Sequence, residues 1–179
     1  MSEDNKKKGI EASFKSMDTE ETLDIWLNRP IGYMWALFFK KLHVHPNVVT
    51  ILSIFLGVGA GIMFYYPDMT HTLLGIFLLM WANHYDSADG QLARLTGQKT
   101  QWGRMLDGFA GDLWFFSIYV AICLRLMNLP MPFYPEADWG IYIWLLAIFS
   151  GTICHSKQCT LADYYRNIHL YFLKGKAGS

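Results

Sequence analysis

Long apolar blocks separated by short polar ones set the pattern of this chain. Val48 to Tyr66 runs for 19 residues without a charged side chain, about the length that crosses a hydrocarbon core of ~30 Å. Pro67-Asp68 makes a turn. Thr70 to about Ala93 then reads as a second helix, apolar as far as Tyr85 and polar through its last turns. Leu95 to Gln101, with Gly97, is a short loop, and a third helix runs from Trp102–Arg104 to about Met127. Asn128 to Asp138 contains Pro130, Pro132 and Pro135 and is read as a loop. Trp139 to Cys154 is a fourth spanning segment, a little short. The pattern predicts an all-α polytopic membrane protein with about four transmembrane helices in this chain.

The flanks differ in character. Residues 1 to about 9 are polar and lysine-rich. From Ile10 to Asn28, the apolar residues Ile10, Phe14, Met17, Ile25 and Trp26 recur at loose helical intervals, which predicts an interfacial amphipathic helix. A solvated helix packed on the rest of the domain fits the same spacing. Residues 1–28 are therefore taken as a tail and interfacial helix, and 29–179 as the transmembrane domain. Gly32 to Phe39 is apolar but too short to span, and Lys40 and Lys41 close it. Asn47 is placed to cap the first spanning helix through its side chain. The GVGAG run ending at Gly61 allows close helix contact. Lys157 to Lys174 carries Tyr164, Tyr165, Tyr171 and Phe172, as an interfacial helix would.

Composition agrees with the membrane class: 53% of residues are hydrophobic, 16% aromatic and only 17% charged. A net charge of zero gives no argument for nucleic acid. Cys123, Cys154 and Cys159 form neither a disulfide framework nor a zinc-ligand spacing. The N-terminus has no apolar signal-peptide core. Arg94, Lys99 and Arg104 lie between helices two and three, and Arg29, Lys40 and Lys41 precede helix one. The positive-inside rule puts both groups in the cytoplasm.

One stretch carries the chemistry: His84 to Asp112, HYDSADGQLARLTGQKTQWGRMLDGFAGD. Carboxylates at the mouths of apolar helices are costly there and point to function. Successive helical residues turn ~100°, so Asp86, Asp89 and Ala93 share a face with Gly90 on its border. Asp107 lies across a short connection and completes the set. Hard oxygen donors without matching His or Cys favour Mg²⁺, Mn²⁺ or Ca²⁺ over zinc. Such ions bridge phosphate oxygens in in-line displacements. Gly90 and Gly103 admit close approach of a ligand to the backbone, and Arg94 offers a fork suited to phosphate.

These residues resemble the signature of the CDP-alcohol phosphotransferases, D-x2-D-G-x2-A-R-x8-G-x3-D-x3-D. Asp86, Asp89, Gly90, Ala93, Arg94, Gly103 and Asp107 stand at its spacing, seven positions over 22 residues. The Pro46-Asn47-x-x-Thr50 opening of helix one looks like the family too. The resemblance implies an integral membrane enzyme of six helices, active as a homodimer. It would transfer the substituted phosphate of a CDP-linked lipid, such as CDP-diacylglycerol, to a small alcohol and release CMP, as in phospholipid biosynthesis. It implies Asp86, Asp89 and Asp107 as ligands of Mg²⁺ or Mn²⁺, and Gly90, Ala93, Arg94 and Gly103 around the nucleotide. With four crossings read against six, either further helices lie outside this chain or a second copy completes the fold.

The last motif position departs from the pattern. The family expects aspartate at 111, where this chain has Gly111, with Asp112 one step later. In a regular helix Asp112 lies ~140° from Asp107. A π-bulge between Gly108 and Gly111 returns it to the site, and on that expectation Asp112 is the catalytic base. Three rival readings stand beside this one: a cation transporter, a CDP-lipid or cation-binding protein without turnover, and a CDP-amino-alcohol transferase acting on a lipid. Transport is disfavoured because all four aspartates lie at one end of the helices.

Overall fold

The computed structural model describes residues 26, 28–132 and 134–174. The amphipathic helix expected over Ile10–Asn28 falls, but for Trp26 and Asn28, outside them. The chain forms two compact units, Met1–Ala121 and Ile122–Ser179.

The first unit contains α1 (Arg29–Lys41), α2 (Pro46–Tyr65), α3 (Met69–Thr96) and the greater part of α4 (Gln101–Leu126). At α2, α3 and α4 a local side chain or ring nitrogen meets a backbone N–H at the helix start, whereas Asn28 before α1 makes no such side-chain bond. At α2 the cap is His45, whose Nδ1 accepts from Asn47 N at 3.2 Å. The expectation that Asn47 itself caps this helix is corrected. Pro46 has no N–H to satisfy and its φ is already helical, so the helix opens there and the cap lies two residues back from Asn47, at His45. Asp68 caps α3 by accepting from His71 N at 3.1 Å. Thr100 Oγ1 accepts from Gly103 N at 2.9 Å at the start of α4. Gly97, at φ 71°, closes α3 in the left-handed conformation, so the connection to α4 is shorter than the loop read from sequence.

The apolar stretch before Lys40 is itself helical. α1 packs on the C-terminal half of α3, where Ala36 and Phe39 meet Ala88 and Leu92, with Val49 of α2 in the same cluster. Trp35 stacks edge-on against Tyr85 at 5.2 Å between ring centres. Two side chains of α3 tie the start of α1: Gln91 Nε2 donates to Arg29 O at 3.1 Å, and Ser87 Oγ to Asn28 O at 3.4 Å. These bonds hold the N-terminal end of α1 beside Asp86 and Asp89.

Helices α2 and α4 touch through the glycines of the GVGAG run. A Cβ on Gly57 would lie 2.1 Å from the Trp114 ring, and one on Gly61 would lie 2.3 Å from Ser117 Oγ. Only a glycine surface lets α4 come this close, as the sequence anticipates for that run. α2 and α4 are the two helices among the described residues that are long and apolar enough to cross a membrane.

The second unit opens with the end of α4. The segment read as a proline loop contains a short antiparallel hairpin, β1 (Pro130–Met131) against β2 (Tyr134–Asp138). Pro130 and Pro135 lie in its strands and Pro132 in the turn between them; a two-stranded ribbon has only edge strands, where proline is tolerated. Helix α5 (Gly140–Phe149) continues through a π-helical stretch, Ser150–His155, into α6 (Ser156–Lys174). The boundary expected at His155 is thus a change of helical pitch and not a break. Thr152 Oγ1 donates to Ile148 O at 2.6 Å within it.

Candidate functional site

Asp86 and Asp89 come from the polar end of α3, and Asp107 from the second turn of α4. Among the described residues these three form a potential cation site, with one carboxylate oxygen from each lying within 4.8 Å of the others. Asp89 is buried, at 4% exposure, Asp86 is half-buried, and Asp107 is exposed. The site is therefore open on the α4 side and closed at its α3 floor. Helical spacing supplies the first two carboxylates. The short turn through Gly97 supplies the third, because it brings the start of α4 back beside the end of α3.

The donor set consists of carboxylate oxygens alone. Three such groups at this separation repel one another unless positive charge lies between them. The geometry and the ligand chemistry both fit a hard divalent cation.

Two further groups bear on the cluster. Thr50 Oγ1 donates to Asp89 Oδ2 at 2.5 Å, and the Arg29 charge at the start of α1 acts on Asp86. Thr50 was visible in the sequence only as part of the Pro46-Asn47-x-x-Thr50 opening. Its partner lies 39 residues away, a distance no local pattern reports. Arg29 read as a flanking charge, and only the docking of α1 on α3 brings it to the site.

The residues predicted for a nucleotide are gathered around the same end. Gly90 and Ala93 are half-buried on α3. A Cβ placed on Gly90 would lie 3.5 Å from Arg94 Nη1, so the Arg94 guanidinium extends back over that glycine. Gly103, in the first turn of α4, faces Asn47 of α2: an added Cβ would lie 3.1 Å from Asn47 Oδ1. The shifted cap of α2 thus leaves the Asn47 side chain beside Gly103 instead of over its own helix end.

Asp112 is not brought to the cluster. Helix α4 is α-helical from Gln101 to Leu126, and the π-bulge expected between Gly108 and Gly111 is not formed. A physical reason is at hand. A Cβ on Gly108 or on Gly111 would meet nothing within 4 Å, so no packed group disturbs the hydrogen-bond ladder there. Asp112 is exposed, on a side of α4 that also presents Met105, Phe109 and Phe116.

Two helices long and apolar enough to cross a membrane, together with three carboxylates gathered where a cation could be held, point to a helical membrane protein with a cation site. The comparison with known families is more specific. The chain belongs to the CDP-alcohol phosphatidyltransferase family, whose model matches residues 43–163. It is a family of transferases whose members use divalent cations. A stretch of 70 residues is also 41% identical to an uncharacterized protein of Aquifex aeolicus (strain VF5), taking in 39% of this chain and 34% of that protein. The chain thus spans about a third of the length of this relative.

Proposed function

We propose that this protein is a metal-dependent CDP-alcohol phosphotransferase of phospholipid synthesis. It takes a CDP-linked lipid, such as CDP-diacylglycerol, and transfers the substituted phosphate to the hydroxyl of a small alcohol. The observation that carries the reading is the convergence of Asp86, Asp89 and Asp107 from two helices at the family spacing. Asp86, Asp89 and Asp107 hold the cation, and Gly90, Ala93, Arg94 and Gly103 line the nucleotide subsite. When bound, the cation supplies charge neutralisation at the pyrophosphate.

The chain's own residues do the rest by position. Gly90 and Gly103 let the nucleotide lie against the backbone, and the Arg94 guanidinium over Gly90 meets phosphate oxygens. The acceptor hydroxyl forms a new O–P bond at the phosphorus next to the lipid. The bond from that phosphorus to the bridging oxygen breaks, and its electron pair leaves with CMP. Helix α4 turns Asp112 away, so the hydroxyl proton departs to solvent at the open Asp107 side.

The membrane placement belongs to the same proposal. α2, α3, α4 and the α5 segment cross the bilayer, with the acidic cluster at the cytoplasmic surface. Two chains pair as a homodimer. Outward apolar side chains such as Phe55 and Phe116, 71% and 66% exposed, support lipid or helix contact there.

The test is CMP release from CDP-diacylglycerol by the purified protein, with Mn²⁺ or Mg²⁺ and a pool of alcohols that includes glycerol phosphate, inositol and serine. Release that requires metal and is lost in Asp89→Asn is the expected result. A folded protein that binds Mn²⁺ yet releases no CMP from any CDP-linked donor would sink the proposal. Gly111, in place of the family aspartate, favours a second reading, a CDP-lipid-binding protein without turnover, and that outcome would leave it standing.

A further inference from the structure

The floor of the acidic cluster is held from a third helix. Asp89 is 4% exposed and Thr50 3% exposed, and they meet through Thr50 Oγ1 and Asp89 Oδ2. Thr50 is fixed from three sides. Its hydroxyl also lies 3.3 Å from Pro46 O, one turn back on α2, and its carbonyl accepts from Ser53 Oγ at 2.7 Å. Both Ser53 and the Pro46 ring are buried. One hydroxyl carries one hydrogen. With the carboxylate at 2.5 Å and the carbonyl at 3.3 Å, that hydrogen goes to Asp89.

From this geometry we infer that Thr50 is a positioning residue, which orients the Asp89 carboxylate for the cation. The inference rests on the proposed role of Asp89 as a metal ligand. A carboxylate rotates freely about its last bond unless something fixes it. The Thr50 hydroxyl occupies one direction at Oδ2 and leaves Oδ1 and the remaining Oδ2 lone pair available to a cation. A group that hydrogen-bonds to a ligand in this way sets its orientation before the metal arrives, and losing it typically weakens metal binding by about 10- to 100-fold. The Pro46 turn adds a constraint of its own. It starts α2 at a fixed residue, so the hydroxyl one turn later meets Asp89 at a fixed height.

Direct Mn²⁺ binding separates this role from activity. The full chain is purified in detergent, and free Mn²⁺ is followed by electron paramagnetic resonance during titration. Thr50→Val, which keeps the shape and removes the hydroxyl, is expected to weaken Mn²⁺ binding by about 10- to 100-fold. Thr50→Ser, which keeps the hydroxyl, should stay within a few-fold of the parent. CMP release at saturating Mn²⁺ should recover in Thr50→Val while the half-saturating metal concentration rises. If Thr50→Val does not fold, Thr50→Ala takes its place, and Thr50→Ser must then hold Mn²⁺ more tightly than Thr50→Ala. Equal Mn²⁺ affinity in the hydroxyl-bearing and hydroxyl-free variants overturns the inference. Parent protein that binds Mn²⁺ through Asp89 but never releases CMP overturns the proposed reaction and leaves the positioning role intact.

Discussion

Asp107 and Asp112 stand five residues apart on one helix, and ~140° of rotation separates them. Because α4 is regular between them, a variant at each should behave differently. Asp107→Asn removes one oxygen donor of three and should weaken Mn²⁺ binding sharply. Asp112→Asn should leave Mn²⁺ binding unchanged and retain CMP release to within a few-fold of the parent. Loss of release with binding intact would instead make Asp112 the base and require α4 to rewind during turnover. At this scale the sequence was legible wherever the spacing was local. Asp86 and Asp89 are one helical turn apart, and Asp107 follows a glycine-bearing turn, so all three were in view. Thr50 and Arg29 were not, since what makes them matter is a tertiary contact. The bulge proposed for Asp112 followed from a motif, and a motif carries no information about what packs beside Gly108 and Gly111.

Helix boundaries depended on how each end satisfies its backbone. Long apolar runs located α2, α3 and α4 to within a few residues, because burying such runs requires every peptide group to be paired inside the helix. The ends moved where a specific residue intervened, as at Pro46 and Gly97. The proline-rich hairpin at 130–138 was illegible for a different reason: proline density reads as loop, and the pairing that overrides it is between residues the pattern does not link. The start of α3 yields a pH prediction. The hydrogen bond from the His71 side chain, with the His71 backbone N–H second, holds the Asp68 carboxyl below its usual value. A depressed carboxylate contributes its stabilisation above the ordinary aspartate range and loses it as pH falls through the lowered value. Hydrogen exchange at the His71 amide should therefore stay protected near pH ~6, correcting for intrinsic rate, and open in acid below the ordinary aspartate range. Asp68→Ala should show the open behaviour at both. Equal protection in the parent at both pH values would remove the charged cap from the account of this helix.

Across the whole molecule, the question is which way the charged ends face. The turn after α3, with Arg94, Lys99 and Arg104 beside it, adjoins the acidic cluster, while the Tyr66–Asp68 turn joins the far ends of α2 and α3. α2 has 20 residues, so at 1.5 Å per residue its ends are separated by about 30 Å, the thickness of a hydrocarbon core. If α2 and α3 cross, residues 67 and 98 lie on opposite faces, and the basic side is the cytoplasmic one. The proposed chemistry requires that assignment, since it draws a CDP-linked lipid from the face where nucleotides are made available. Single cysteines at Pro67 and Gln98, in a chain whose Cys123, Cys154 and Cys159 are replaced by serine, test it with a membrane-impermeant maleimide. Gln98→Cys should label in inverted vesicles and stay unlabelled in right-side-out ones, and Pro67→Cys should do the reverse. Labelling of both positions from one face would mean that α2 and α3 do not span. Labelling with the faces exchanged would place the aspartates outside the cell, where a cytoplasmic CDP-lipid could not reach them.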